Sequence, residues 1–194
     1  MPLLDLADSQ LVVIDLQPGF YAPDADVDRT AYAIAEARAA WLVGVAAALD
    51  VPVTVTEEDP DRNGPTSSLV LDHLPVGFQP FDKGVFGLAD QPDILASIEA
   101  HGRRTILLVG TETDVCVAHS ALGLLARGFR VVVVTDATFA PGEMQHHGLQ
   151  RVADAGAELI HAKGVYYEWI RTLADARAFQ AAYPDLAEPP GFSL

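Results

Sequence analysis

The chain has 194 residues, half of them hydrophobic, which is long for one domain, short for two and ample for one substantial core. Twenty-seven acidic against twelve basic side chains give a formal net charge of −15, a field that repels phosphate backbones and anionic lipid and so argues against nucleic acid or a membrane surface as partner. The single cysteine, Cys116, excludes an intramolecular disulfide and a four-thiolate metal site, and leaves its thiol free for chemistry.

The amino-terminal stretch MPLLDLADSQ carries Asp5 and Asp8 and no basic segment ahead of an apolar one, so it does not read as a signal peptide. No uninterrupted apolar run approaches the roughly 18 residues of a membrane span, and a cytoplasmic location is the expectation. Near-continuous aliphatic runs bounded by turn residues recur at LVVID (11–15), VPVTV (51–55), TILLVG (105–110) and VVVVT (131–135), the pattern of strands buried on both faces. Weaker strands are expected at 78–82 and 158–160. Between them, Ile34, Trp41, Val45 and Leu49 recur at helical spacing over 30–49, Ile94, Leu95 and Ile98 mark a second helix, and 115–127 a third that stops at Gly128. Further helices are predicted over 143–155, 165–169 and 174–182, and the Pro-rich stretch 182–194 is expected to be extended. Strand and helix alternate throughout, which predicts a single domain over 1–194. Its class is a three-layer α/β/α fold, doubly wound about a mainly parallel six-stranded sheet.

Active sites of such folds lie outside the carboxyl ends of the strands. That rule singles out Asp15, the loop 57–59, Lys83 and the turn 110–116. Asp15 ends an apolar run, where a carboxylate is partly desolvated and needs a partner; it is either a strand-end acceptor or a general base. Lys83, between Phe81, Val85 and Phe86, is either an ordinary turn lysine or a buried ammonium seeking Asp15. Cys116 follows a strand and opens a helix, where the helix N-terminus favours thiolate and backbone N–H groups of Glu112 and Cys116 could bind an oxyanion. A lone buried cysteine is also commonly a small core hydrophobe.

Taken together, LVVIDLQPGF (11–20), FDKGVFG (81–87) and GTETDVCVAHSALGLLARGFRVVVVTDAT (110–138) resemble the isochorismatase-like cysteine hydrolases over almost the whole chain. Gly64, Pro65 and Thr66, with Tyr167 and Glu168 near the end, resemble one branch of that family. The resemblance implies Cys116 as nucleophile, Asp15 as the base that takes its proton and Lys83 as the cation that stabilises the group. It also implies a cis peptide at Thr111–Glu112 beside the oxyanion, and a homo-oligomer. The reaction it implies is cleavage of a small amide, ureido or related carbon–nitrogen bond through a thioester.

Two departures narrow this. Nicotinamidases of the family hold a metal through an Asp-x-His pair and a further His after the second strand, whereas this chain has Glu57, Glu58, Asp59 and Asp61 there and no histidine before His73. No metal and no other cofactor are expected, and the acidic loop reads as solvated. True isochorismate hydrolases lack the cysteine, so Cys116 argues against that reaction. Gln17, Phe20, Phe86 and His119 are candidate walls of a pocket for a small-molecule substrate, with core packing the alternative for the first three. His146 and His147 are adjacent on a helix and point about 100° apart, which reads as surface. The competing reading of the whole chain is a catalytically silent small-ligand or partner-binding protein of the same fold.

Overall fold

A computed structural model describes residues 2–191. Its strands are β1 (Ser9–Ile14), β2 (Val53–Glu58), β3 (Phe81–Lys83), β4 (Thr105–Thr111), β5 (Arg130–Phe139) and β6 (Glu158–Ile160). The helices that follow them are α1 (Arg29–Ala48), the short α2 (Pro60–Asn63) and α3 (Ser68–Leu71), α4 (Pro92–Ala100), α5 (Ala118–Ala126), α6 (Glu143–Asp154), α7 (Ala162–Ile170) and α8 (Leu173–Ala182). The sheet order is β3-β2-β1-β4-β5-β6 and every neighbouring pair is parallel. The expected mainly parallel sheet is therefore wholly parallel.

The aliphatic runs are continuous because helices cover both faces of the sheet. Leu11 and Val13 of β1 join Leu107, Val109, Val132 and Val134 in a core shared with Trp41, Leu42 and Val45 of α1 and Tyr166 and Trp169 of α7. The alternate residues Val12 and Ile14 point the other way and join Ile106, Leu108, Val131 and Val133 against Ile94 and Ile98 of α4, Leu124 of α5 and Val152 of α6. Fully burying one such side chain stabilises by about 1.5–3 kcal/mol, which makes the two opposed faces the main source of order. By length and composition α1 resembles a membrane span, but Ala39–Ala46 are all buried, between the sheet on one side and His73 and Leu186 on the other. It is the core helix of one layer, started by the Asp28 carboxylate accepting from the Thr30 and Ala31 N–H groups.

Several boundaries differ from expectation: the strand expected at 78–82 is confined to Phe81–Lys83, and the one expected at 131–135 runs on to Phe139. β2 starts at Val53 and runs on to Glu58, because Thr56, Glu57 and Glu58 pair with Phe81, Asp82 and Lys83 of β3. The helix expected from 115 begins as a π-helical turn over Thr113–Val117. Beyond α8 the chain is not extended: Pro184–Leu186 form a 3-10 turn, Leu186 accepts a hydrogen bond from the Trp41 indole at 3.0 Å, and Pro190 accepts one from Arg38 at 3.3 Å. A buried indole N–H needs an acceptor, and this turn supplies it. Residues 192–194 of the expected extended stretch lie outside the described residues.

The order of connection reverses between β1 and β4, the place where a crevice opens at the carboxyl ends of such a sheet. Gly110 lets the two strands close there. It pairs with Ile14 at φ 116°, and a Cβ on it would stand 1.9 Å from the Ile14 carbonyl oxygen.

Candidate active site

Asp15 is the first residue past β1 and has φ 46°, a left-handed conformation that costs a non-glycine residue about 1–3 kcal/mol. It is held there from both sides. Its N–H donates to Thr56 O at 3.1 Å, and its carbonyl accepts from Thr111 Oγ1 at 2.6 Å. Its carboxylate, fully buried, accepts from Thr56 Oγ1 at 2.8 Å and pairs through Oδ2 with Lys83 Nζ at 2.9 Å. Burial pushes this carboxyl above its usual range, and the Lys83 charge opposes that rise.

Lys83 is also fully buried, the opposite of the ordinary fate of a lysine. Its ammonium donates to Val85 O at 2.5 Å and to Phe86 O at 3.4 Å, so the turn after β3 wraps around the charge. It stands 3.8 Å from Cys116 Sγ and 3.7 Å from Glu58 Oε2. Asp15, Glu58 and Cys116 bring possible ligand atoms within 4.8 Å of one another. The Lys83 ammonium supplies the cation for that cluster.

Cys116 sits in the π-helical turn after β4 and is 1% exposed. Instead of the expected thiolate facing solvent, burial pushes the thiol far up, with Asp15 and Glu58 adding to the rise and Lys83 opposing it. The sulfur donates to Glu58 Oε2 at 3.0 Å. The peptide between Thr111 and Glu112 is cis. The half-buried Glu112 carboxyl, raised by burial, lies beside the Tyr21 hydroxyl. Gly148 of α6 packs on this turn so closely that a Cβ would come within 2.7 Å of Asp114.

A cleft of about 410 Å³ opens beside the group, lined by Glu58, Asp59, Asp82, Lys83, Gly84, Val85 and Phe86, so that Lys83 and Glu58 reach it while Asp15 and Cys116 lie behind them. A larger hollow of about 830 Å³ lies against Thr105 and Arg130, which begin β4 and β5 at the opposite end of the sheet, and contains none of these groups.

Asp15, Lys83 and Cys116 thus converge, and the expected pocket walls separate into different roles. Phe86 lines the cleft and is 55% exposed. His119 is exposed and stands edge-on behind the Phe86 ring at 6.1 Å between centroids. Phe20 does not line this cleft: it is half-buried, packed on the α1-side core and edge-on to Tyr21. Nor does Gln17, which is fully buried. Its Oε1 accepts from Glu58 N at 2.8 Å, and its Nε2 donates to Glu58 O at 3.2 Å and Gly64 O at 2.6 Å. The acidic loop is likewise not uniformly solvated. Glu57 accepts from Thr66 N at 2.6 Å, and Glu58 turns onto the sulfur. The only signal for Glu58 in the sequence was its place at a strand's carboxyl end.

The model of the isochorismatase domain family matches residues 9–163. The bovine isochorismatase domain-containing protein 2 is 34% identical over 134 residues, a match that spans 68% of this chain and 63% of that protein. The probable hydrolase YcaC of Escherichia coli is 28% identical over 167 residues, spanning 85% of this chain and 79% of that protein. The crystal structure of E. coli YcaC, an octameric hydrolase of unknown specificity, superposes with a TM-score of 0.81 at 27% identity, over 96% of this chain and 93% of that one.

Proposed function

Because this chain belongs to the isochorismatase domain family, a family with hydrolases among its members, we propose that it is a cysteine hydrolase of small amide, ureido or related carbon–nitrogen bonds. The observation that carries this reading is one buried ammonium, Lys83, which lines the cleft and stands 2.9 Å from the Asp15 carboxylate and 3.8 Å from the Cys116 sulfur. Burying a lysine this way costs several kcal/mol unless it is paired, and here it is paired beside a nucleophile.

In the proposed reaction the substrate carbonyl enters from the cleft past Phe86. Cys116 attacks it and Asp15 takes the thiol proton as the C–S bond forms. Such timing suits a thiol that burial makes harder to ionise. Lys83 offsets the negative charge that then accumulates. Backbone N–H groups of Glu112 and Cys116 are the proposed donors to the oxyanion. Collapse breaks the C–N bond, the nitrogen leaves with the proton from Asp15, and water hydrolyses the thioester. This sequence needs no cofactor. The octameric state of YcaC supports a homo-oligomer for this chain as well.

The test is ammonia or amine release across a panel of small amides and ureides, with intact-protein mass spectrometry for the acyl adduct. Cys116→Ala is expected to abolish both. Turnover of a panel compound at the wild-type rate by that variant eliminates the nucleophile assignment and favours the ligand-binding reading.

A further inference from the structure

Hydrolysing a thioester requires a base that reaches both the acylated sulfur and a water in the cleft. Asp15 meets only half of this requirement. It is 0% exposed, one carboxylate oxygen is taken by Thr56 and the other by Lys83, and it does not line the cleft. Glu58 meets both halves: its Oε2 is 3.0 Å from Cys116 Sγ, and its side chain is 23% exposed and lines the cleft.

The position of Glu58 is also built. Register in the parallel sheet sets it directly beside Lys83. Its backbone is clamped by the Gln17 amide on the β1 side and by Asn63 Nδ2, which donates to Glu58 O at 2.8 Å. The next residue, Asp59, turns away with φ 43°, so the strand ends at the carboxylate that touches the sulfur. Such fixed backbone bonds are what holds a catalytic group within reach of its target.

We propose that Glu58 is a second catalytic carboxylate, the general base for hydrolysis of the Cys116 thioester. In the resting enzyme it accepts the thiol hydrogen bond. Asp15 handles the proton of acylation, and the departing amine leaves room over Glu58 for water. Glu58 then takes a proton from that water as the C–O bond forms. The C–S bond breaks, the acid product leaves, and Glu58 returns the proton to sulfur, restoring the thiol. The division of labour follows from access: a sealed carboxylate serves the sealed sulfur, and a half-open one serves water.

The inference rests on the cysteine-hydrolase reading, and one assay separates the two. With p-nitrophenyl acetate as the acylating probe, stopped-flow release of p-nitrophenolate is followed together with the mass of the protein. Glu58→Gln is expected to give a burst, to accumulate acetyl-Cys116 and to turn over about 100-fold more slowly than wild type. Glu58→Asp, which keeps a carboxylate, is expected to retain more turnover. A readout independent of turnover is alkylation by iodoacetamide, expected to be faster in Glu58→Gln because the carboxylate that opposes ionisation of the thiol is gone. Steady-state turnover of Glu58→Gln within about twofold of wild type, or loss of burst and turnover in equal measure, overturns the role of Glu58 and leaves that of Cys116 standing. A burst in Cys116→Ala equal to wild type, or a wild type that is never acetylated, overturns both.

Discussion

Glu58 and Lys83 face each other in register at the carboxyl ends of β2 and β3, with 3.7 Å between carboxylate and ammonium. Since Lys83 also pairs with Asp15 at 2.9 Å, one ammonium serves two carboxylates. Two carboxyl groups thus share one cation beside the sulfur. Ionising the sulfur would add negative charge in a buried place beside both, which is why burial first, and then Asp15 and Glu58, raise the thiol. The arrangement favours a nucleophile that ionises only as it attacks.

Lys83 and Asp15 are expected to be strongly coupled in stability. Asp15→Ala leaves a buried ammonium with Val85 O, Phe86 O, the Cys116 sulfur and the more distant Glu58, and Lys83→Met leaves a buried carboxylate with the neutral partners Thr56 and Cys116. Each single variant is expected to lose about 3–5 kcal/mol. The double variant is expected to lose less than the sum, by up to about 3 kcal/mol. Urea denaturation of the four proteins measures the coupling, and strict additivity would mean that the ion pair does not hold the site together.

The thiol makes a testable contribution to alkaline stability. Its folded-state pKa lies above the ordinary thiol value of 9.0, so above that pH the unfolded chain gives up the proton while the folded chain keeps it. The folded state then binds more protons, and stability falls as pH rises, by about 1.4 kcal/mol per pH unit for this one group. Below pH 9 the difference vanishes. Cys116→Ser lacks this titration, so the stability of wild type relative to the variant is expected to be flat from pH 7 to about 8.5 and then to decline. Taking the difference cancels Tyr21 and Tyr32, which burial also raises. A flat difference up to pH 10.5 would place the thiol at its ordinary value.

The aliphatic runs carried most of the fold. Leu11, Val12, Val13 and Ile14 are apolar without a break because successive side chains enter opposite cores, and that pattern needs no tertiary knowledge to read. Asp15 was legible as an anomaly for the same reason, a charge at the end of such a run. Glu58 was not, because Glu57, Glu58 and Asp59 look alike in sequence and only pairing with β3, far along the chain, decides that the middle one meets the sulfur. The place of Gln17 is not legible from its neighbours, since its amide is consumed by backbone groups across 41 and 47 residues of sequence. For the thiol, a helix start argues for thiolate, whereas burial beside Asp15 and Glu58, visible only in three dimensions, pushes the other way.

Gly110→Ala is expected to be among the most destabilising single substitutions in the chain, at about 4 kcal/mol or more. The new Cβ meets the Ile14 carbonyl at 1.9 Å, at a φ of 116° that L-residues rarely adopt, so β1 and β4 must separate just where they position Asp15 and Cys116. Loss of soluble expression, or a large fall in the urea midpoint, is the expected result. A variant with wild-type stability would show that the two strands need not close at this point.

Gln17 is expected to act through Glu58 without touching substrate. Gln17→Ala removes the acceptor of the Glu58 N–H and both donations to Glu58 O and Gly64 O. Asn63 still satisfies the Glu58 carbonyl, so the main loss is one buried N–H left without a partner, about 1–3 kcal/mol. Gln17→Glu is expected to cost at least as much, because a carboxylate oxygen would then face two carbonyl oxygens where an amide N–H₂ now donates. Freed from the clamp, Glu58 no longer holds its 3.0 Å contact with the sulfur, so kcat for an acyl probe should fall while KM, set by the cleft around Val85 and Phe86, changes little. The two readouts separate positioning from binding: a change confined to KM would make Gln17 a wall of the pocket after all, and a fall in kcat with accumulation of the acyl-enzyme ties it to Glu58.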